Sequence, residues 1–533
     1  MRPIPYRNAA LIIITLALLL AACGRPQATA GSIEIQIEID GEPSDVAVPA
    51  GSTVQQALDN AGVMLAALDR VDPPAYTTVD EGTVIQITRV TERFEIEEIV
   101  IPYERQTIRN ETLPEGETRL LQPGENGRQE ITYRIIEESG EEISRAPVKN
   151  VILEDAVPEI LMIGTQSSHT PISIEGKLVY ITAGNAWLIT SNSGNRRPVV
   201  VSGDLDGRIL QISPDGDWLL FTRLSAGDDP EIINELWVTS LDNAGAEQFD
   251  LGVRNVIHFA DWVPFESSLI VAYSTVEASP SPPGWQANND LQTIVFTETG
   301  RVLRERTILE ASAGGQYGWW GTSFAWGRDD DHLAYIRADS VGTVDFDEQS
   351  FIEAHKITPF QTLEDWAWVP GIAWGQDQQS LFFVDHGEPV GIENPQSSPV
   401  FHLAVSTERT EQHVLLSERT GMFAYPSVSP ILDVDTPEIA YKVAFLQAIN
   451  PLESKNSAYR LVVMDRDGSN QRELFPPPGE PGLDPILPGP VWSPSGERIA
   501  VIYRGDLWVI DVETGLGQQL TNDGQARLID WAP

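Results

Sequence analysis

One short unit recurs through the C-terminal two thirds of this chain. Its clearest copy is Val491-Trp-Ser-Pro-Ser-Gly-Glu-Arg-Ile-Ala-Val-Ile-Tyr503. It reads as a strand, a tight turn and a second strand, because proline pre-sets φ and glycine tolerates a left-handed φ. Other copies are Ile212-Ser-Pro-Asp-Gly216 before Trp218 to Phe221, and Asp261-Trp-Val-Pro264 before Leu269 to Tyr273. Phe324-Ala-Trp-Gly327 precedes His332 to Ile336, and Ile372-Ala-Trp-Gly375 precedes Ser380 to Val384. Ser427-Val-Ser-Pro430 is a looser copy. The sequence closes on Ile529-Asp-Trp-Ala-Pro533, the first strand of one more unit.

The turn markers Pro214, Pro264, Gly327, Gly375, Pro430, Pro494 and Pro533 stand 39 to 64 residues apart. Such spacing, with four strands per unit, is the signature of propeller blades. A second strand pair follows most markers, as at Glu235 to Thr239, Thr293 to Phe296, Val400 to Ala404, Arg460 to Met464 and Asp506 to Ile510. The blade from Gly327 has an indistinct second half around Asp345 to Lys356. The final half-unit lacks a partner strand, and Gly176 to Ile181 has the form that follows the turn elsewhere. Pairing the two closes a ring and removes free sheet edges. Seven blades are expected over 171–533. These repeats resemble the periplasmic TolB-type propeller, in which Trp-Ser-Pro-Asp-Gly precedes an Ile-Ala-Phe-like strand. Gly327 and Gly375 depart from that pattern.

At the other end, Arg2 and Arg7 precede an apolar run from Ala9 to Leu20, which is short for a membrane span and suits a signal peptide. Leu20-Ala-Ala-Cys23 follows and holds the chain's one cysteine. The stretch resembles a bacterial lipobox. That resemblance implies cleavage of residues 1–22, a diacylglycerol on Cys23 and a polar tether over 23–31. An ordinary cleaved signal is the competing reading. Cys23 accounts for the whole cysteine count, so no disulfide staples the mature chain.

Residues 32–90 alternate as a strand at Ile33 to Asp40, turn at Asp40-Gly41 and return at Asp45 to Pro49. Ser52 to Gln55 reads as a capping box, with a helix to Ala61 stopped by Gly62. Thr83 to Arg89 alternates again. This order predicts a small β-grasp-like unit. At Val63 to Leu65, Asp69 to Pro73 and Gly82 to Arg89 it resembles the ubiquitin-like module of resuscitation-promoting factors.

Residues 91–165 contain Glu97 to Tyr103, Leu113 to Gly116, Gln122 to Gly127, Ile131 to Tyr133, Glu138 to Glu141 and Val157 to Thr165. They predict short strands broken by Pro-Gly and Asn-Gly turns. The pattern, with Gly116, Gly124, Gly127, Gly140 and Gly164 in order, resembles the domain named for its five glycines (G-five). The resemblance implies an elongated, extracellular sheet module associated with cell-wall polymers containing N-acetylglucosamine. A glycan binder and a plain spacer both fit.

The chain is therefore mainly β. Its net charge of −43 and lack of a basic patch argue against nucleic acid. The seven histidines are scattered, with no His-Glu-x-x-His pair, Gly-x-Ser-x-Gly elbow or phosphate loop, so no catalytic residue, cofactor or metal site is expected. Asp204 to Gly207 and Asp465 to Gly468 read as turns rather than calcium loops. One aromatic group stands out. Tyr317, Trp319 and Trp320 lie just before the strand at Phe324, and Trp366 and Trp368 just before Ile372. Either they fill gaps between blades, or they share a face and stack on a sugar or grip a peptide. The organisation points to a lipid-anchored, extracytoplasmic scaffold whose propeller contacts wall glycan or an envelope protein. The alternative is a propeller lyase or glycosidase acting on polysaccharide, marked by converging carboxylates or histidines with displaced pKa values.

Overall fold

A computed structural model of the chain describes residues 31–110, 117–164, 171–227, 229–243, 245–264, 269–407, 410–432, 439–485 and 489–533. Cys23, the signal segment and Gly116 lie outside the described residues. The chain divides into two compact units, Met1–Ile108 with Arg119–Met162, and Arg109–Thr118 with Ile163–Pro533.

The first unit begins with β1 (Ser32–Ile39) and β2 (Glu42–Pro49), joined through Asp40 and Gly41, both at positive φ. Helix α1 (Val54–Ala61) follows, then β3 (Arg70–Asp72) and β4 (Val84–Thr88). The sheet order is β2-β1-β4-β3, with β1 and β4 parallel, which is the expected β-grasp arrangement. Ile35, Ile37, Ile85 and Ile87 alternate inward and pack on Val54, Ala57 and Leu58 of α1. The capping box sits one residue later than the Ser52–Gln55 expectation. Thr53 caps the helix: the Gln56 amide donates to its hydroxyl (3.4 Å), and the Thr53 amide donates to the Gln56 side chain (3.0 Å). Ser52 is occupied elsewhere, donating its hydroxyl to the Pro49 carbonyl at 2.7 Å. The phase that buries Val54, Ala57 and Leu58 fixes Thr53 as the last extended residue. Gly62 ends the helix at φ 70°, as expected.

The next segment departs from the short strands expected of it. β5 (Val90–Ile101), β8 (Gly127–Glu138) and β9 (Glu141–Glu154) are 12, 12 and 14 residues long and form a sheet of order β5-β8-β9. β6 (Arg105–Asn110), β7 (Thr118–Gln122) and β10 (Glu159–Gly164) make a second sheet of order β6-β10-β7. Two glycines are packing requirements here rather than hairpin turns. A Cβ on Gly124 would strike the Tyr103 ring, and one on Gly127 would meet the backbone of Glu154 to Ala156.

Among the described residues the remainder forms seven four-stranded antiparallel sheets and one two-stranded hairpin. Blades 1 to 6 have inner strands Leu205–Ile212, Phe259–Trp262, Ser323–Trp326, Ile372–Trp374, Ser427–Val428 and Val491–Trp492. Blade 7 is composite, as expected: its inner strand Ala526–Ala532 pairs with Ser173–Thr182, setting Trp531 opposite Leu178 and Asp530 opposite Val179. The indistinct half of the Gly327 blade is two regular strands, Ser340–Asp345 and Ser350–Lys356. The recurring tryptophan has a physical role at blade boundaries. The Trp262 indole donates to the Gln211 carbonyl of blade 1 (3.1 Å), and Trp492 donates to the Ser427 carbonyl of blade 5 (3.1 Å). Trp531 instead donates to the Glu175 carbonyl of its own sheet (2.8 Å). The Trp262 and Trp492 bonds each also bury a large apolar ring between sheets. Among the described residues no helix is long and apolar enough to cross a membrane.

Candidate functional site

The inner strands surround a central cavity of about 1200 Å³. With four antiparallel strands per blade, every crossover from an outer strand to the next inner strand leaves at the same end, so all crossovers share one rim. The turn between second and third strands opens on that rim too. This places the aromatic candidates.

Loop 310–322 is the crossover into blade 3. Asn289, fully buried, donates its amide to the Gly318 carbonyl (2.9 Å) and accepts the Thr322 hydroxyl (2.8 Å). That clamp sets the single 3-10 turn Gly318–Trp320. Trp320 lines the cavity and meets Trp285 edge to face at 5.9 Å. Trp285 comes from a hairpin inserted in blade 2 (Val276–Ala278 with Trp285–Ala287) and meets His258 at 4.6 Å. Tyr317 and Trp319 belong to the same crossover but do not line the cavity; Trp319 is 38% exposed.

Across the crossover into blade 4, Trp366 lines the cavity, stacks beside Phe423 (6.3 Å) and donates its indole N–H to Glu364 (2.7 Å). Phe423 in turn lies beside Tyr425 at 6.0 Å. Trp368 divides from its neighbour. It is buried at the cavity's edge, packs on Phe401 at 4.8 Å and donates to the Met422 carbonyl at 2.8 Å. The expected group thus splits: Trp320 and Trp366 are brought to one rim, Trp368 is core, and Tyr317 and Trp319 lie outside the cavity.

Sequence reasoning did not single out the acids of the cavity wall. Asp261 and Asp530 occupy the inner strands on either side of blade 1 and line the cavity. The equivalent positions in blades 3, 4 and 6 are Ala325, Ala373 and Val491. Asp530 accepts the Ile212 amide (2.6 Å) and the Trp531 amide (2.8 Å); Asp261 accepts the Trp262 amide (2.8 Å). Burial pushes the Asp261 carboxyl up to about 7, opposed by its amide bond and reinforced by the Asp530 charge. Burial likewise pushes Asp530 up to about 6. Burial and the nearby Arg208 charge hold His258 down at about 4, so its imidazole is neutral at pH 7. The result is an aromatic rim above a wall that holds two carboxyls with raised pKa values. Such a surface stacks on flat apolar faces and exchanges hydrogen bonds with hydroxyls and amides. The signal for the acids was present, since two copies of the repeat carry Asp immediately before Trp where others carry Ala or Val.

Comparisons with known proteins address the first unit most directly. Residues 92–166 match the G5 domain family, and residues 35–75 match the G5-linked ubiquitin-like domain. Resuscitation-promoting factor RpfB of Mycolicibacterium smegmatis is 30% identical over 165 residues, 30% of this chain and 45% of that protein. Resuscitation-promoting factor Rpf2 of Corynebacterium glutamicum is 26% identical over 145 residues, 27% of this chain and 38% of that protein. The chain spans less than half the length of these curated relatives. Among solved structures, a putative TolB from Agrobacterium tumefaciens is 15% identical with a TM-score of 0.31, covering 57% of this chain and 90% of that one. The propeller assignment rests on the seven sheets and their closure. The chain combines a G5-linked ubiquitin-like domain, a G5 domain and a seven-bladed propeller, and the two N-terminal modules mark an extracellular or cell-wall-associated protein.

Proposed function

We propose that this chain is a lipid-anchored envelope receptor whose propeller cavity binds a segment of cell-wall glycan. Cys23 would tether it to the outer face of the membrane, and the ubiquitin-like and G5 modules would contact or span the wall. The observation that carries this reading is the aromatic rim of Trp285, Trp320 and Trp366 above the cavity that Asp261 and Asp530 line. Pyranose rings present apolar faces that stack on indoles and hydroxyls that pair with carboxyls. An envelope protein offering an aromatic-binding loop would use the same rim. The test is titration of the full chain with soluble N-acetylglucosamine-containing wall fragments. Trp320→Ala and Trp366→Ala should each weaken binding at least tenfold while leaving the melting temperature nearly unchanged. Trp368→Ala is the contrasting control, destabilising by about 3–5 kcal/mol because it empties a core site. Undiminished binding by both rim variants sinks the proposal.

A second reading has its own observation. A carboxyl held near pH 7 beside a second acid is suited to proton transfer in glycan cleavage. Release of new reducing ends from wall glycan by the wild-type chain, lost in Asp261→Asn while binding persists, would support catalysis over simple capture.

A further inference from the structure

The seven histidines are dispersed in the sequence, yet two of them converge on one carboxylate. His355 lies on the outer strand of blade 3 (Ser350–Lys356). Asp385 lies on the second strand of blade 4 (Ser380–His386), and His413 on that blade's outer strand (Thr410–Ser417). His355 Nε2 stands 3.4 Å from Asp385 Oδ1, and His413 Nε2 stands 3.5 Å from Asp385 Oδ2. The two imidazoles are 4.1 Å apart between centroids, inclined at 50°.

These distances are informative. An N–H···O bond is most often about 2.9–3.0 Å long, so both contacts are slack as hydrogen bonds. Ligand atoms held tetrahedrally at about 2.0–2.1 Å from Zn²⁺ stand roughly 3.3–3.4 Å from one another. Each histidine stands near that spacing from one oxygen of Asp385, and one ligand atom from each of the three residues lies within 4.8 Å of the others. Both histidines present Nε2, which leaves each Nδ1 for an outer partner, the usual division in metal sites. The surroundings fit as well. Asp385 is 9% exposed, and the fully buried Phe383 ring lies 5.5 Å from His355 and 6.2 Å from His413. A dry apolar wall on one side and partial opening at His413 would exclude bulk water yet admit an ion.

We propose that His355, Asp385 and His413 form a binding site for a divalent transition metal of the Zn²⁺ class, joining the outer strand of blade 3 to blade 4. Three protein ligands leave one position for water or an incoming donor. The site spans the outer strand of blade 3 and the second and outer strands of blade 4, and none of its residues lines the central cavity, so it stands or falls independently of any ligand there.

The experiment is Zn²⁺ binding by the full chain after chelator treatment, followed by competition with a chromogenic chelator and by elemental analysis. One equivalent should bind to wild type and raise the melting temperature. His355→Asn and His413→Asn should each weaken binding at least tenfold and abolish that rise. His413 is partly exposed on an edge strand, so His413→Asn should keep the wild-type circular dichroism spectrum and melting temperature in the absence of metal. A wild-type chain that takes up no Zn²⁺, or variants that bind within tenfold of it, would overturn the proposal.

Discussion

Two antiparallel strands live in opposite surroundings. β9 of the G5 segment is exposed along almost its whole length, with Ile143, Val148 and Ile152 each about half exposed. The Ser173–Thr182 strand of blade 7 is buried continuously from Leu178 to Thr182. Both pair antiparallel with a neighbour, with three register shifts along the β8–β9 pairing and one between Ser173–Thr182 and Asn185–Asn192. The difference is cover. Blade 7 is sandwiched by adjacent sheets, whereas the β5-β8-β9 ribbon relies on its ladder and on cross-strand charge pairs. Those pairs are Arg93–Glu137 (2.8 Å), Arg128–Glu98 (2.8 Å) and Arg134–Glu92 (2.7 Å). Exposed pairs of this kind contribute little individually. A strand can therefore be held either by a core or by its neighbours' backbone, and the two kinds should fail differently.

The largest effect tests closure. Ending the chain at Asn522 removes the inner strand of blade 7 and leaves the Ser173–Thr182 strand with an open edge. The propeller should lose its cooperative unfolding transition, while the ubiquitin-like and G5 unit keeps its own. Differential scanning calorimetry separates the two. Survival of the propeller transition within a few degrees would mean that the ring does not depend on its closing strand.

The next effect concerns acid, and the two regions should respond with opposite signs. In the ribbon, hydrogen bonds from Arg93 and Arg145 hold Glu95 below its usual range, and those from Arg128 do the same for Glu154. Their contribution is present above the unfolded pKa and is lost as pH falls through the depressed value. In the propeller, Asp261 is raised from 3.8 to about 7, so the folded state binds the proton more tightly than the unfolded chain. Stability from this group is fully present below about pH 4 and is lost as pH rises toward 7. Asp261→Asn should flatten that slope. At pH 8 it should raise stability by roughly 2 kcal/mol, a figure discounted from the full shift because the carboxyl borders an open cavity. At pH 4 it should change little. Parallel urea-midpoint curves for wild type and variant between pH 4 and 8 would show that the cavity does not hold the proton.

These contrasts also explain what could be read from residues alone. The propeller was legible because its unit repeats: Trp492, Trp262 and Trp531 mark inner strands, and the final Ile529 to Pro533 asks for a partner. The β-grasp core was legible because Ile33 to Ile39 alternate against one buried face. The ribbon was not, since its flanking strands β5 and β9 are exposed on both faces, which imposes little apolar alternation, and Pro147 sits inside β9 where a turn would be guessed. The capping box slipped by one because Ser52 and Thr53 are equal candidates until burial of Val54 sets the helix phase. Of the aromatic group, Trp366 and Trp368 are two residues apart, and only the Phe401 and Met422 contacts assign one to the core. The histidines that meet at Asp385 come from two blades, so their proximity is a product of ring geometry and leaves no local spacing to find.

The smallest expected effect is the sharpest check on the comparison. Ile152 on β9 is 57% exposed, and Ile189 on the strand paired with Leu178 is fully buried. Both are isoleucines in the interior of a strand, so propensity alone predicts similar costs for Ile→Thr. Thr keeps the β-branched shape and the ladder bond, and its hydroxyl is hydrated where water reaches it. At Ile152 nothing is uncovered, so the change should stay below about 0.5 kcal/mol. At Ile189 the same substitution buries a hydroxyl among apolar side chains and should cost at least about 2 kcal/mol. Equal losses at the two positions would mean that β9 is covered in solution by something that packs on its apolar side chains, and the ribbon would then have a core after all.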